Sequence, residues 1–573
     1  MAETQAERPV TFEPSEAMAF GAVQSLHGRQ KITLPMSKEE FDSNKNIAAE
    51  IMTWLPYVLR VHNYNKGQID YLYNYYRGIQ PILLKEKVVR PDINHIVLEN
   101  HAYEFVNFKK SYIFGKPIQY VYKGSKDNKD IEDEIVALNT FMENVSKTSE
   151  DGELAEWQYI CGTGYRYINS GKEGDDSPFI MSSPDPRNTF VVYSNSIKEE
   201  VLFSGFVTYK SNLFGSIPLS NVNNNLSFDK KITIYTDNEQ IEFESFVDTG
   251  VERYKVIPKT VVVGDEVTSV QTYPLVIKGN RIIEYPLNNA RLGLIEVVMS
   301  LLDAINQVKS NDVDDIDQFV QSLLVFINQE VEPEKFKELI KLGAIEVNSA
   351  DASRPADVKL LTSQLSHSET KVVTMDLYQT ALRICGIPIN AGSSSGDTGN
   401  AKSIGEGWTM ADARANQDEQ NFKKHEKKAL KLIIDICKQN NIVGIDKELA
   451  KIKDLSPLDI DIKFTRNKSD NLLVKTQGLL NMMSCQIEPQ IAFETAGLFS
   501  DPNETFVRSN EYYDGKLWKG ASENTEGDKP KVMNNLKDTT DVDSIDIANL
   551  PFDKKVKDNI DNKKEENKKE DKE

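Results

Sequence analysis

The chain is poor in the residues that build disulfide or metal-held scaffolds. Its 573 residues include four cysteines, Cys161, Cys385, Cys437 and Cys485, and six histidines. No two cysteines form a C-x-x-C pair, and the four lie far apart. This spacing argues against a disulfide framework and a zinc site, and it suits a reducing cytoplasm. Long apolar runs are missing too. The closest, "LIEVVMSLL", is broken by Glu296 and Ser300, well short of the roughly 18 residues a spanning helix needs. The N-terminal stretch "MAETQAERPVTFEPSEAMAF" has no apolar core of signal-peptide length. No membrane partner is therefore expected.

Positive charge is in deficit. Lys and Arg number 68 against 88 Asp and Glu, for a formal net charge of −20. Such a chain repels bare nucleic acid and anionic membranes, which argues against a protein that grips phosphates through a basic face. The common catalytic signatures are absent as well: there is no G-x-S-x-G, no H-E-x-x-H and no Cys/His pair at catalytic spacing. No catalytic residue, metal ligand or cofactor is expected.

One octapeptide tests that expectation. Residues 396–403, "GDTGNAKS", differ from the phosphate-binding pattern G-x-x-x-x-G-K-[ST] only at Ala401. A P-loop follows a buried strand and opens a helix, whereas the upstream segment "MDLYQTALRICGIP" has a helical pattern. The Ala401 methyl also stands where backbone must approach phosphate. The favoured reading is a Gly/Ser loop between two helices, long enough to suggest a function of its own.

The local patterns divide the chain. Residues 1–45 are polar and read as a loose arm. Residues 46–76 carry a helical apolar pattern, from Ile47 and Ile51 to Leu72 and Tyr76. A second helix is expected from about Asn94 to Gly115, with Pro117 just beyond. Residues 176–290 switch to short β-branched and aromatic runs, among them "TFVVYSN", "VLFSGFVTYK", "KITIYT", "IEFESFV" and "KTVVVGD", which predict antiparallel sheet. A helix of about 40 Å follows over 293–320. On it Val298, Leu301, Ile305 and Val308 keep a three-and-four spacing that suggests packing between neighbouring helices. Residues 325–364 look like a small α/β insert, with "PEKFKELIKLG" as helix and "AIEVNS" and "VKLLTS" as strands. Helices are expected over about 367–385 and 408–438, then a strand in "LDIDIKFTRN" and further helix near 470–498. From about Ala521 the composition cannot sustain a core and predicts disorder. The fold class expected is α+β.

Two clusters invite a metal reading. His95, Glu99 and His101 would place their histidines on different helix faces, so ordinary surface and core positions are expected. The acidic run Asp312, Asp314, Asp315 and Asp317 flanks Val313 and Ile316 and is read as a solvated helix face.

The order of parts resembles the portal proteins of tailed bacteriophages, of the siphophage type. The most specific stretch is "RIIEYPLNNARLGLIEVVMSLLDAINQVKSNDVDD". It matches the family's "P-x-I-E-Y" strand end at Ile283 to Tyr285, its Asn pair at Asn288 and Asn289, and its Arg-Leu-Gly at Arg291 to Gly293. The helix motif "L-I-D-A-x-N" with a following Ser falls on Leu302 to Asn306 and Ser310. "YYRGIQPIL", "SYIFGKPIQY", "DPRNTFVVYSN" and "FTRNKSDNLL" are similar to further family segments. Together they cover about residues 65–515.

The resemblance implies a ring, usually of about twelve copies, at one capsid vertex of the virion, assembled in the host cytoplasm. It implies a channel through which double-stranded DNA is packaged by terminase and later ejected. The major capsid and scaffold proteins and the head–tail adaptor would be the other partners. On this chain it implies an arm over 1–45, a wing over 46–292 and stem helices over 293–320 and 366–385. It also implies a clip over 321–365, a tunnel loop over 386–407, a long wing helix with its connection over 408–454, a crown over 455–520 and a tail over 521–573. The DNA-proximal residues would be Gly392, Ser393, Ser394, Ser395, Gly396, Asp397, Thr398, Gly399 and Lys402. Val298, Leu301, Ile305 and Val308 would pack between subunits. The acidic balance fits this picture, since a channel must pass DNA without holding it. A P-loop NTPase and a monomeric adaptor or scaffold module are the competing readings.

Overall fold

The computed structural model describes most of residues 28–512. Left undescribed within that span are 89–90, 124–128, 173–174, 210–229, 249–250, 264–265, 271, 321–322, 328–356, 362–366, 390–406, 440–451, 467–471 and scattered positions after 496. The described residues begin with β1 (Ile32–Leu34), α1 (Lys38–Asp42) and α2 (Ile47–Tyr76). A single 3-10 turn, Pro81–Leu84, precedes α3 (His101–Phe114), β2 (Gln119–Tyr122), α4 (Lys129–Asn144) and α5 (Lys147–Cys161). The strand region runs through β3 (Thr163–Ser170), β4 (Phe179–Ser182), β5 (Thr189–Ser194), β6 (Val201–Tyr209), β7 (Lys230–Tyr235) and β8 (Glu239–Asp248). It continues with β9 (Val251–Val256), β10 (Lys259–Val263), β11 (Glu266–Val270), β12 (Tyr273–Pro274) and β13 (Ile282–Pro286). Then follow α6 (Leu294–Val320), β14 (Leu323–Ile327), β15 (Asp357–Leu361), α7 (His367–Cys385) and α8 (Trp408–Gln439). The last are β16 (Ile460–Lys463), α9 (Leu472–Ser484) and α10 (Pro489–Ala496). The fold is α+β.

The expected strands form, but they divide between sheets. A seven-stranded sheet has the order β1-β5-β6-β7-β8-β12, with β9 also on β8. All its pairings are antiparallel except β1 with β5. A three-stranded sheet has the order β13-β3-β4. Strand β5 is buried along its whole length because it has a core on each face. Phe190 and Val192 enter one cluster and Val191 and Tyr193 another, as a period of two requires.

Helix α2 joins two cores. Asn46 caps it, its Oδ1 accepting from the Ala49 amide at 3.1 Å. At 1.5 Å per residue the helix is about 45 Å long. Its first half buries Ile51, Leu55, Val58 and Leu59 against the seven-stranded sheet. Its second half buries Ile69, Leu72, Tyr75 and Tyr76 in the helical core with α3, α5, α6 and α8.

Three expectations change. Residues 28–45 are not a loose arm: Leu34 and Phe41 are core residues, and β1 completes the sheet edge. The second helix begins at His101 rather than near Asn94, with Asn100 as its cap, and residues 94–100 lie outside any helix. Helices α4 and α5 lie in a stretch the local patterns left unassigned. In the insert, "VKLLTS" contributes β15, paired with β14 so that Leu323 faces Leu361. The expected helix "PEKFKELIKLG" and strand "AIEVNS" fall outside the described residues. All the labelled elements lie in the unit Met1–Asp501. In the unit Pro502–Glu573 only short helical turns near residues 505–509 are described. No described helix is long and apolar enough to cross a membrane.

Candidate functional site: a long helix pair and its anchorage

The turn that launches α6 is built from the Ile283–Tyr285 and Arg291–Gly293 motif residues. Arg291, with φ +54°, reaches back to Glu284 in a bidentate ion pair, Nε to Oε1 at 2.6 Å and Nη2 to Oε2 at 2.9 Å. Tyr193 and Thr163 donate to the same carboxylate at 2.6 and 3.0 Å. Burial pushes the Glu284 pKa up, but Arg291 and these donors outweigh it and hold it at about 2. Asn288 closes the turn, accepting from the Leu292 amide and donating to its carbonyl. The backbone then passes very close to α5. A Cβ on Gly293 would stand 2.3 Å from the Ile160 carbonyl oxygen, and one on Gly162, with φ +79°, would stand 2.1 Å from the Arg291 oxygen. Glycine is required at both positions. Glu296 caps the new helix, accepting from the Gly293 amide at 2.5 Å and pairing with buried Arg29.

Along α6, three polar side chains at a spacing of four form a ladder. The Oδ1 atom of Asn306 accepts from the Glu99 amide at 2.8 Å. The Ser310 hydroxyl accepts from the Val97 amide at 3.0 Å, and Asp314 Oδ1 accepts from the His95 amide at 2.6 Å. The geometry follows from two repeats. Alternate amides of an extended chain face one way, about 6.6 Å apart, and four helical residues advance about 6.0 Å. The segment 95–99 therefore runs antiparallel to α6, matched rung for rung. Asp314 also holds Lys85 at 2.7 Å, Lys87 at 3.5 Å and His95 Nδ1 at 3.1 Å. Its side chain is buried, so the solvated face expected for the acidic run fails at this position. Burial raises its pKa, but the bonds from Lys85 and His95 prevail and lower it to about 2. The neighbours Asp312, Asp315 and Asp317 are partly exposed.

Both histidines have partners within the chain. His95 belongs to the ladder. His101 lies between Glu104 and Glu99, at 2.7 and 3.1 Å. The Tyr378 hydroxyl of α7 donates to Glu104 at 2.7 Å, so this cluster ties α3 to α7. Among the described residues no group of acidic, His and Cys side chains is arranged to hold a metal ion.

A second buried network fixes α8. Glu426, fully buried, accepts from Tyr120 at 2.5 Å and Tyr285 at 2.7 Å and lies 3.2 Å from Lys147 Nζ. Lys147 and Arg166 share Asp151. Burial alone would raise the Glu426 pKa, but Lys147 and Arg166 lower it to about 2. Nothing in the periodicity of α8 signals this role, although a lone Glu on an apolar helix face is a general hint of a buried partner.

The four apolar residues expected between subunits separate into two pairs. Val298 and Ile305 are fully buried within the chain itself, packed in the helical core, and have no surface to offer a neighbour. Leu301 and Val308 are partly exposed and share a stripe with exposed Val297, all three within about 40° of arc. On α7, packed alongside, Val372, Val373 and Met375 are also exposed, each by half or more. The loop residues Gly392, Ser393, Ser394, Ser395, Gly396, Asp397, Thr398, Gly399 and Lys402 lie outside the described residues. Their flanks are helical on both sides: α7 ends at Cys385, with Gly386 at φ +64°, and α8 starts at Trp408.

Comparison with known families gives the class: the chain is a phage portal protein. The matching family is described as Phage portal protein, SPP1 Gp6-like, and the match covers residues 56–516. The chain belongs to that family, and the α6 launch, the ladder helix and the helix pair all fall within the match. No curated protein matches the chain.

Proposed function

We propose that the chain assembles into a ring of about twelve copies at one capsid vertex and forms the channel through which double-stranded DNA enters and leaves the head. Terminase would dock on the β14–β15 side during packaging, and the head–tail adaptor would take its place afterwards. The major capsid and scaffold proteins would surround the ring. The role is structural rather than enzymatic. The observation that supports it best, beyond family membership, is the set of exposed apolar side chains on the packed helices α6 and α7. A lone subunit gains nothing from exposing Val297, Val372, Val373 and Met375 together, whereas a neighbouring copy would bury them. The helices flanking "GDTGNAKS" also disfavour a P-loop, which needs a strand before it. Negative-stain imaging and sedimentation of the purified full chain test the proposal. A hollow ring near twelve times the 64.8 kDa subunit mass is expected. A stable monomer under all assembly conditions would leave the adaptor reading in its place.

A further inference from the structure

A recess of about 480 Å³ lies between the second half of α8 and the turn that leads into β13. That is the size of sites that take a small molecule or a few side chains. Lys278, Lys428 and Lys431 line it, and none of the three has an ion-pair partner among the described residues. The acids that line it are largely engaged already. Asp42 and Asp237 flank Lys38, each at 3.0 Å, and Glu284 is held by Arg291. Only Asp435 stands without a cation. Counting Lys38 and Arg291 with the acids they hold, cations outnumber carboxylates here, in a chain with a net charge of −20.

The surroundings add to the positive potential. Lys428 is partly desolvated and feels Lys424 and Lys31 as like charges, which together lower its pKa, with Glu284 in partial opposition. Arg281, 2% exposed, has Nε and Nη1 without acceptors and no carboxylate partner among the described residues. A donor is also left over in the recess wall. The Oδ1 atom of Asn280 accepts from Ser204 and from the Ile282 amide, which fixes the orientation of the amide. Its Nδ2 is buried without an acceptor. Between these polar groups Ile282, Ile283 and Leu432 supply apolar wall.

We propose that this recess binds an acidic peptide segment, with a carboxylate held by Lys278, Lys428 and Lys431 and an adjoining apolar side chain against Ile283 and Leu432. A duplex fits poorly. Phosphate recognition along a duplex uses a long basic surface, and here the unpaired lysines are confined to one recess. The mixed lining suits alternating acidic and apolar side chains.

The test is fluorescence anisotropy on the full chain with a dye-labelled peptide of alternating Asp and Leu. An otherwise identical Asn/Leu peptide and a short DNA duplex serve as competitors. Saturable binding is expected for the acidic peptide, about tenfold weaker in K428Q/K431Q and weaker again with K278Q added. Lys438→Gln, an exposed lysine on the same helix outside the recess, should change nothing, and circular dichroism should show every variant folded. Equal competition by the Asn/Leu peptide, unchanged affinity in the triple variant, or no binding at all would each overturn the proposal. Displacement by duplex DNA at lower concentration than by acidic peptide would reassign the surface to nucleic acid.

Discussion

Asp314 accepts a hydrogen bond from the backbone amide of His95 at 2.6 Å and from the His95 ring at 3.1 Å, across 219 residues of sequence. It is the last rung of the ladder that fastens segment 95–99 to α6. The ladder joins the chain beside α3 to the helix pair, so it belongs to the frame that any load along α6 must cross.

Removing a rung should free one amide and little else. Ser310→Ala is expected to cost about 1 kcal/mol, and Asp314→Ala more, because Lys85 then loses its buried partner. Hydrogen exchange with mass spectrometry should show faster exchange confined to residues 94–100. Unchanged protection there would mean that the segment is held by other contacts.

The Glu284–Arg291 pair makes a sharper case. Glu284→Gln leaves a buried guanidinium short of a counter-charge and should destabilise the fold by about 3 kcal/mol. Replacing both residues, as E284Q/R291M, should cost less than the sum of the single changes. Thermal unfolding of the four proteins of that cycle gives the answer, and simple additivity would show that the two residues are not coupled.

Acid sensitivity follows from the same carboxylates. Glu284, Glu426 and Asp314 all have folded pKa values near 2, below their ordinary values. The unfolded chain therefore binds their protons first. Their stabilisation is complete above about pH 4.5 and is lost as pH falls towards 2. His62 acts in a higher window. Burial chiefly, with Lys66 nearby, lowers its pKa to about 4 against the pull of its bond to the Arg187 carbonyl. Protonation of the unfolded chain below about 6.5 then removes stability progressively down to about 4. Chemical denaturation between pH 7 and 4 should show this slope, and His62→Gln should flatten it.

Surface and core changes on the helix pair should separate cleanly. Val372→Asp and Val297→Asp fall on exposed positions and should alter subunit stability by about 0.5 kcal/mol or less while blocking ring assembly. Ile305→Asp buries an unpaired carboxylate and should unfold the subunit itself. Sedimentation and circular dichroism together distinguish the outcomes. Normal rings from the double variant V297D/V372D would remove this face from the interface.

The segment "GDTGNAKS" can be tested without touching the flanking helices. Deleting Ser393 to Gly399 should permit ring assembly but reduce the DNA content of particles. Nucleotide binding is expected to be undetectable both in the parent chain and in Lys402→Ala. Micromolar ATP binding abolished by that change would revive the P-loop reading.

What the sequence determined by itself is the set of elements governed by local pattern. The helices at 47–76, 367–385 and 408–439 and the strands from β5 to β8 could be read because periodicity and end signals act within a few residues. The family motif was legible for the same reason, as a contiguous stretch from Ile283 to Ser310. Only the tertiary structure decided which side chains face inward. Val297 and Val298 are identical neighbours on an apolar stripe, one exposed by 53% and the other wholly buried, because α6 meets the core on one side alone. Asp314 looked like part of a solvated acidic run, since its cations and amide donors come from residues 85–95, more than two hundred positions earlier. The recess beside α8 is equally invisible in sequence. Its lysines come from residues 278, 428 and 431, and no local pattern can report a charge balance that exists only after distant strands and helices have met.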